Sequence, residues 1–295
     1  MKISSDKSVF NFSCDNKPVA KVENGAEVVI ETKDCFSNQL RKPEDTMDFL
    51  DWDATNPTTG PVYVEGAKVG DILKVEIKKI VLNEKGTIVS GEGFGTLGHL
   101  LKGSHTQIIP VENGFAKFIN GIEIRIKPMI GVIGVAPKSG TVNNGTPGKH
   151  GGNMDNTMVG EGATLYFNVE VDGGLFALGD LHAVMGDGEI GVSGLEIPAE
   201  VTVKLSVVKN KKVEFPMLEN QGVWSVIASE NTVDRAAETA TECMFNFLKE
   251  RMEMAEPEIV MLMSMVGNLE FCQIVDPLKT VRFVMPKQFI GDISI

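Results

Sequence analysis

Along the first two thirds of the chain, apolar and polar residues alternate, and each alternating run opens on a turn. Asn24-Gly25 precedes AEVVIETKD, Val69-Gly70 precedes DILKVEIKKIVL, Glu161-Gly162 precedes ATLYFNVEVDGG, and Ile197-Pro198 precedes AEVTVKLSVVK. In LKVEIKKI, Leu73, Val75, Ile77 and Ile80 fall mostly on one face with lysines opposite. A period of two with one apolar face predicts antiparallel sheet, half of it buried. AKFINGIEIRIKP, with its turn at Asn120-Gly121, predicts a hairpin.

Near residue 230 the period lengthens. Thr232 is placed to cap a helix whose apolar stripe runs through Ala236, Ala237, Ala240, Met244, Phe247, Leu248 and Met252. Glu256-Pro257 opens a second helix with Ile259, Val260, Leu262, Met263 and Val266 inside, ending at Gly267. Its methionines read as core packing rather than as a partner groove. Short strands follow at FCQIV (271–275) and VRFVM (281–285). The expected fold is mainly β, over residues 1–215, followed by an α+β part over 216–295.

Composition refines this picture. Glycine supplies 31 of 295 residues, roughly one in ten against an average near 7%. It shows no collagen period, so it marks many tight turns. Hydrophobic content of 42% and charged content of 23% describe an ordinary globular chain. A net charge of −12 without a basic cluster argues against nucleic acid as a partner. The four cysteines, Cys14, Cys35, Cys243 and Cys272, lack disulfide-framework or zinc-finger spacing and suit a reducing compartment. With neither an apolar leader core nor a membrane-length apolar run, the expected location is the cytoplasm, away from the membrane.

Three segments carry more polar chemistry than turns require. Glu31 and Asp34 stand at the exit of an alternating strand, as solvent-facing residues or as oxygen donors. Residues 143–155 hold glycine or proline at five of thirteen positions, so they form a shaped loop containing His150, Asn153 and Asp155. Asx turns explain its asparagines and Asp155 as well as ligand binding does, but histidine contributes little to turns. In LGDLHAVMGDGE (178–189), Asp180 and His182 are two apart and share a strand face. Such a pair can ligate a metal or fix an imidazole tautomer, unless it belongs to a charged hairpin of no special chemistry. Asp187 and Glu189 repeat the spacing. Gly93-Phe-Gly95-Thr-Leu-Gly98 matches a dinucleotide fingerprint only formally, since no βαβ unit follows it.

At PGKHGGNMD (147–155) and FALGDLHAVMGDGEI (176–190) the chain resembles the acetamidase/formamidase family. ETKDCF (31–36), GPVYVEGAKVGDILKVEI (60–77), KPMIGVIGVAP (127–137) and the C-terminal SMVGNLEFCQIVDP extend the resemblance over nearly the whole chain. The resemblance implies β-sandwich or barrel-like domains followed by a small two-helix α/β domain. It implies hydrolysis of formamide, acetamide or a similar short amide to carboxylate and ammonia. It also implies a homodimer or higher oligomer and a divalent metal, zinc first and calcium second.

Under that resemblance, Asp34, Asp180 and His182 are expected in the metal shell, with His105 as a fourth ligand. Glu31, Asp187 and Glu189 are expected to move protons, and His150 and Asn153 to orient the substrate. A thiol route through Cys35 is the weaker option, because no base adjoins it in sequence. The competing classes are a non-catalytic, calcium-stabilised β-sandwich that binds a ligand or glycan, and a relative acting on larger or ring amides.

Overall fold

The computed structural model describes every residue except Gln221, Asp292 and Ser294. The alternating runs become strands at Ala26–Glu31, Ile72–Leu82, Thr164–Asn168 and Ala199–Val208, side by side in one nine-stranded sheet. Ile72–Leu82 shows why its apolar spacing changes from two to three. Ile77 pairs with Val203 and Lys79 with Thr202, so Lys78 is the extra residue of a bulge. The bulge returns Ile80 to the buried face already occupied by Leu73, Val75 and Ile77.

A second sheet places Met129–Gly134 between Gly151–Asn153 and Phe176–His182, and Phe176–His182 in turn pairs with Thr58–Val64. Its central strands are buried along their whole length, as a sheet covered on both faces must be. Val28, Ile30 and Leu73 from the first sheet share one core with Val62, Ile130 and Phe176 from the second. This is the expected sandwich. Phe115–Lys117 and Glu123–Arg125 form the expected hairpin, within a four-stranded sheet that also holds Lys85–Gly91 and Ser104–Glu112.

The C-terminal strands Met217–Asn220, Val223–Glu230, Lys279–Pro286 and Asn268–Gln273 continue the nine-stranded sheet. Helix Val233–Lys249 begins where expected, with Thr232 Oγ1 accepting the Arg235 N–H at 3.3 Å. It buries Ala240, Met244, Phe247 and Leu248 against a second core that includes Trp224, and Ala236 is buried as well. Helix Glu256–Val266 departs from expectation. Only Ile259 and Met263 are buried, while Val260, Met261 and Met265 are exposed, because one stripe alone is covered, by helix Val233–Lys249 and strand Lys279–Pro286. Gly267 ends it without a left-handed φ, at −81°; a Cβ there would lie 2.6 Å from the Phe283 ring. Among the described residues, no helix is long and apolar enough to cross a membrane.

Candidate metal centre

The two sheets bring a set of acids to one imidazole. Asp180 and His182 share a side of Phe176–His182, as their spacing predicts, with Asp180 Oδ1 3.3 Å from His182 Nε2. Glu196 bridges back to the same strand and sets Oε1 3.2 Å from that nitrogen. Asp155, just beyond Gly151–Asn153, places Oδ1 3.8 Å away. Glu189 joins Asp155 and His182 in a trio whose ligand atoms all lie within 4.8 Å of one another. Cys35, Asp180 and Glu196 form a second trio on the same criterion.

Glycine and backbone strain make room for this convergence. Gly131 lies opposite Asp180 in the neighbouring strand. A Cβ there would collide with Asp155 Oδ1 and stand 2.5 Å from Asp180 Oδ2. Gly194 lies against the other edge of the imidazole, where a Cβ would be 2.5 Å from His182 Nδ1. Asp155, Asp180 and Glu189 hold left-handed φ values of 42°, 57° and 48°. Each costs on the order of 1 kcal/mol or more and persists because the surroundings over-determine it.

The electrostatics suit a candidate cation site. Burial, then Glu189 and Asp180, push the Asp155 carboxyl well above the usual range. Burial raises Glu196 and Glu189 likewise, with neighbouring acids adding to the shift. Burial works against a charged His182, but Glu196 and Asp180 outweigh it and raise the imidazole. Burial also opposes the Asp180 charge, and His182 outweighs it, so Asp180 is lowered. Both oxygens of Asp155, Glu196 Oε2 and His182 Nδ1 are buried without a hydrogen-bond partner. Orphaned polar atoms at this density are costly unless something bonds them, and a divalent cation fits that donor set.

Other anticipated residues are placed differently. Asp34 borders the cluster; its Oδ1 accepts the Asn38 N–H at 2.6 Å, and burial lifts its carboxyl to about 6. Asn153 donates from Nδ2 to Asp276 Oδ2 at 2.9 Å, and its Oδ1 is buried without a partner. His150 packs edge-on against Phe12, 5.1 Å between ring centroids. Glu31 pairs with Lys2 at the surface, 2.7 Å apart. His105 is exposed, with Nε2 2.9 Å from the Lys102 carbonyl. Asp187 and Glu189 part company: Glu189 turns into the cluster, whereas Asp187 meets Arg282. The structure thus gathers Asp180, His182 and Glu189, sets Asp34 and Asn153 at the margin, and leaves Glu31, Asp187 and His105 with other partners.

Sequence reasoning did not single out Glu196 or Asp276. Glu196 lies between buried Leu195 and Ile197 in a plain strand pattern, and Asp276 sits in an Asp-Pro turn of the C-terminal part. Burial and then Asp155 raise the Asp276 carboxyl well above its ordinary range. No local signal marks either residue. Cys35 acquires an acidic neighbour in Glu196 that its own segment does not reveal.

The Acetamidase/Formamidase family model matches residues 4–146 and 139–267. The chain is 47% identical, with a TM-score of 0.96, to the crystal structure of a recombinant predicted acetamidase/formamidase from the thermophile Thermoanaerobacter tengcongensis. That match covers 98% of this chain and 96% of the other. It is 42% identical, with a TM-score of 0.98 and full coverage of both chains, to an acetamidase from Bacillus halodurans. A Schizosaccharomyces pombe relative, provisionally named a formamidase, is 25% identical over 250 residues, 64% of this chain. The chain spans 61% of that relative's length. The family model, the superposition on both solved structures and the motifs of the two central segments agree: this chain belongs to the acetamidase/formamidase family.

Proposed function

We propose that the chain hydrolyses short aliphatic amides, formamide and acetamide, to a carboxylate and ammonia, with water activated at a divalent cation in the His182 cluster. The observation that carries this reading is the buried group of acids around one imidazole, with its orphaned oxygens. Asp180, His182, Asp155, Glu189 and Glu196 would hold the cation, with Asp34 bordering them. Imidazole among carboxylates suits zinc better than calcium, which takes six to eight oxygens. The bound cation would lower the pKa of water towards about 7 and polarise the amide carbonyl.

The remaining work falls to the chain's own side chains. Asn153 Oδ1, without a hydrogen-bond partner, is suited to accept an N–H from the substrate amide. Its Nδ2 holds Asp276, whose carboxyl is raised well above the ordinary range by burial and then by Asp155. Asp276 is therefore suited to shuttle a proton from water to the departing nitrogen, which leaves as ammonia. Glu189, whose carboxylate stands within 4.8 Å of donor atoms of Asp155 and His182, is assigned in this reading to the cation rather than to proton transfer. His182 and Asp155 are almost wholly buried, which favours substrates of few heavy atoms.

Ammonia release from formamide, acetamide, propionamide and a ring lactam, before and after chelation, tests the reading. Turnover of the shortest amides, lost on chelation and regained with zinc, is expected. A metal-replete protein that releases no ammonia from any of them would overturn it. Assembly into a homodimer or higher oligomer is part of the same proposal, and sedimentation velocity checks it.

A further inference from the structure

We infer that the cleft between helix Val233–Lys249 and residues 212–217 binds a free α-amino acid with a large apolar side chain, its carboxylate on Lys212 and its ammonium on Glu170. The cleft is a separate place in the molecule. None of its lining residues is a donor of the His182 cluster, so the inference stands apart from the hydrolytic reading.

The cleft holds about 710 Å³, within the ~300–1,000 Å³ of small-molecule sites. Its floor is apolar. Phe215 and Met217 are buried there, and Cys243 and Phe247, four apart on the helix, present one face to it. An apolar floor with few polar groups at its rim is the usual build of a ligand site.

The rim charges decide which ligand fits. Most of them are already engaged. Lys149 meets Glu214 at 3.5 Å, Arg251 meets Glu250 at 3.0 Å, and Lys249 turns to Glu256 outside the cleft. Lys149 also lies 4.9 Å over the Phe215 ring, and Arg251 4.2 Å over that of Phe247. Lys212 and Glu170 remain, with neither an ion pair nor a side-chain hydrogen bond among the described residues. Asn168 anchors both neighbourhoods: its Oδ1 accepts the Val213 N–H at 3.1 Å, and its Nδ2 donates to the Val213 carbonyl. Lys212 is thus one residue from this clamp, and Glu170 two. One unengaged cation and one unengaged carboxylate beside an apolar floor complement a ligand that carries both charges and an apolar body. A simple carboxylate would leave Glu170 unanswered, and a simple amine would leave Lys212. An α-amino acid answers both with charge-assisted hydrogen bonds.

The test titrates L-phenylalanine into the full-length protein carrying Trp52→Phe, which keeps Trp224 as its one tryptophan. The Trp224 ring lies 5.4 Å from that of Phe247, so its fluorescence reports on the floor. A saturable change is expected, with calorimetry on the natural sequence giving one equivalent per chain. 3-Phenylpropanoate, which lacks the ammonium, and phenethylamine, which lacks the carboxylate, should each bind about tenfold more weakly or worse. Lys212→Gln should weaken phenylalanine about tenfold and leave phenethylamine unchanged; Glu170→Gln should weaken phenylalanine as much and leave 3-phenylpropanoate unchanged. Both side chains are free of partners, so both variants should fold and keep the basal amide turnover. No saturable phenylalanine binding, or binding that neither substitution weakens, overturns the site. Either result leaves the hydrolytic reading standing, because ammonia release is measured without phenylalanine.

Discussion

Arg282 grips Asp187 with both terminal nitrogens, Nη2 to Oδ2 at 2.6 Å and Nη1 to Oδ1 at 3.1 Å. The same guanidinium donates to Asn156 Oδ1 at 2.9 Å and to Glu270 at 2.6 Å. It therefore ties the turn before Glu189 and the segment after Asp155 to the C-terminal strands. Asp187 is held by geometry that serves position. Arg282→Lys loses the planar fork and should cost about 1–3 kcal/mol of stability with a tenfold or greater fall in kcat. Asp187→Asn, which keeps an acceptor, should retain turnover within about threefold. Denaturant unfolding and ammonia assays check both. An Asp187→Asn protein that folds normally but is inactive would restore Asp187 as a proton carrier.

Asp180→Ala and His182→Ala should remove cation and turnover together. Each deletes a donor from the centre of the cluster, where neighbouring donor atoms lie 3.2–3.8 Å from His182 Nε2. Metal content and amide hydrolysis measured on the same sample decide the matter. Survival of both in either variant would separate these residues from the site.

Glycine at 131 and 194 is expected to matter for site geometry more than for folding. Gly131→Ala drives a methyl group into Asp155 and Asp180, and Gly194→Ala one into the His182 ring. Each should cost about 1–3 kcal/mol by overpacking and lower cation affinity more than tenfold. Equilibrium dialysis beside thermal unfolding distinguishes the two effects.

His150 should leave a signature in acid. Burial lowers its imidazole from 6.5 to about 4, so between these values the unfolded chain binds more protons than the native one. Stability contributed by the neutral ring is complete above about 6.5 and falls as pH drops towards 4, by about 3 kcal/mol in all. His150→Gln should flatten that part of the stability–pH curve in denaturant titrations. An unchanged slope would mean that the ring is not neutral in the folded protein.

Stripping the cation should produce the opposite slope. Carboxyls raised in the native state, among them Asp155, Glu189 and Glu196, bind more protons folded than unfolded. Their contribution is complete below the unfolded carboxylate range and is lost as pH rises through the raised native values. Chelated protein should therefore unfold more readily at pH 9 than at pH 6, and cation should restore it most at the higher pH. Calorimetry with and without zinc checks this.

The strands were legible because alternation is a direct image of a one-faced sheet, and even the spacing of Ile80 recorded the Lys78 bulge. Asp180 and His182 were legible because two-residue spacing survives on a strand despite the left-handed φ at Asp180. Asp187 and Glu189 show where spacing stops being informative. Their turn does not preserve strand geometry, and one goes to Arg282 while the other goes to His182. Glu196 and Asp276 were illegible because convergence from remote strands leaves no trace in local pattern. The second helix misled because an apolar sequence does not reveal that only one of its sides will be covered.

The acids around His182 come from as early as Cys35's neighbourhood and as late as Asp276, the last strand pair included. Competence is thus a property of the finished chain. A nascent or truncated polypeptide lacking its final strands would carry the central acids without the Arg282 clamp that fixes their flanking loops. Enzymatic turnover should consequently appear last during refolding, after the sheets have formed, and would serve as a strict readout of completed assembly.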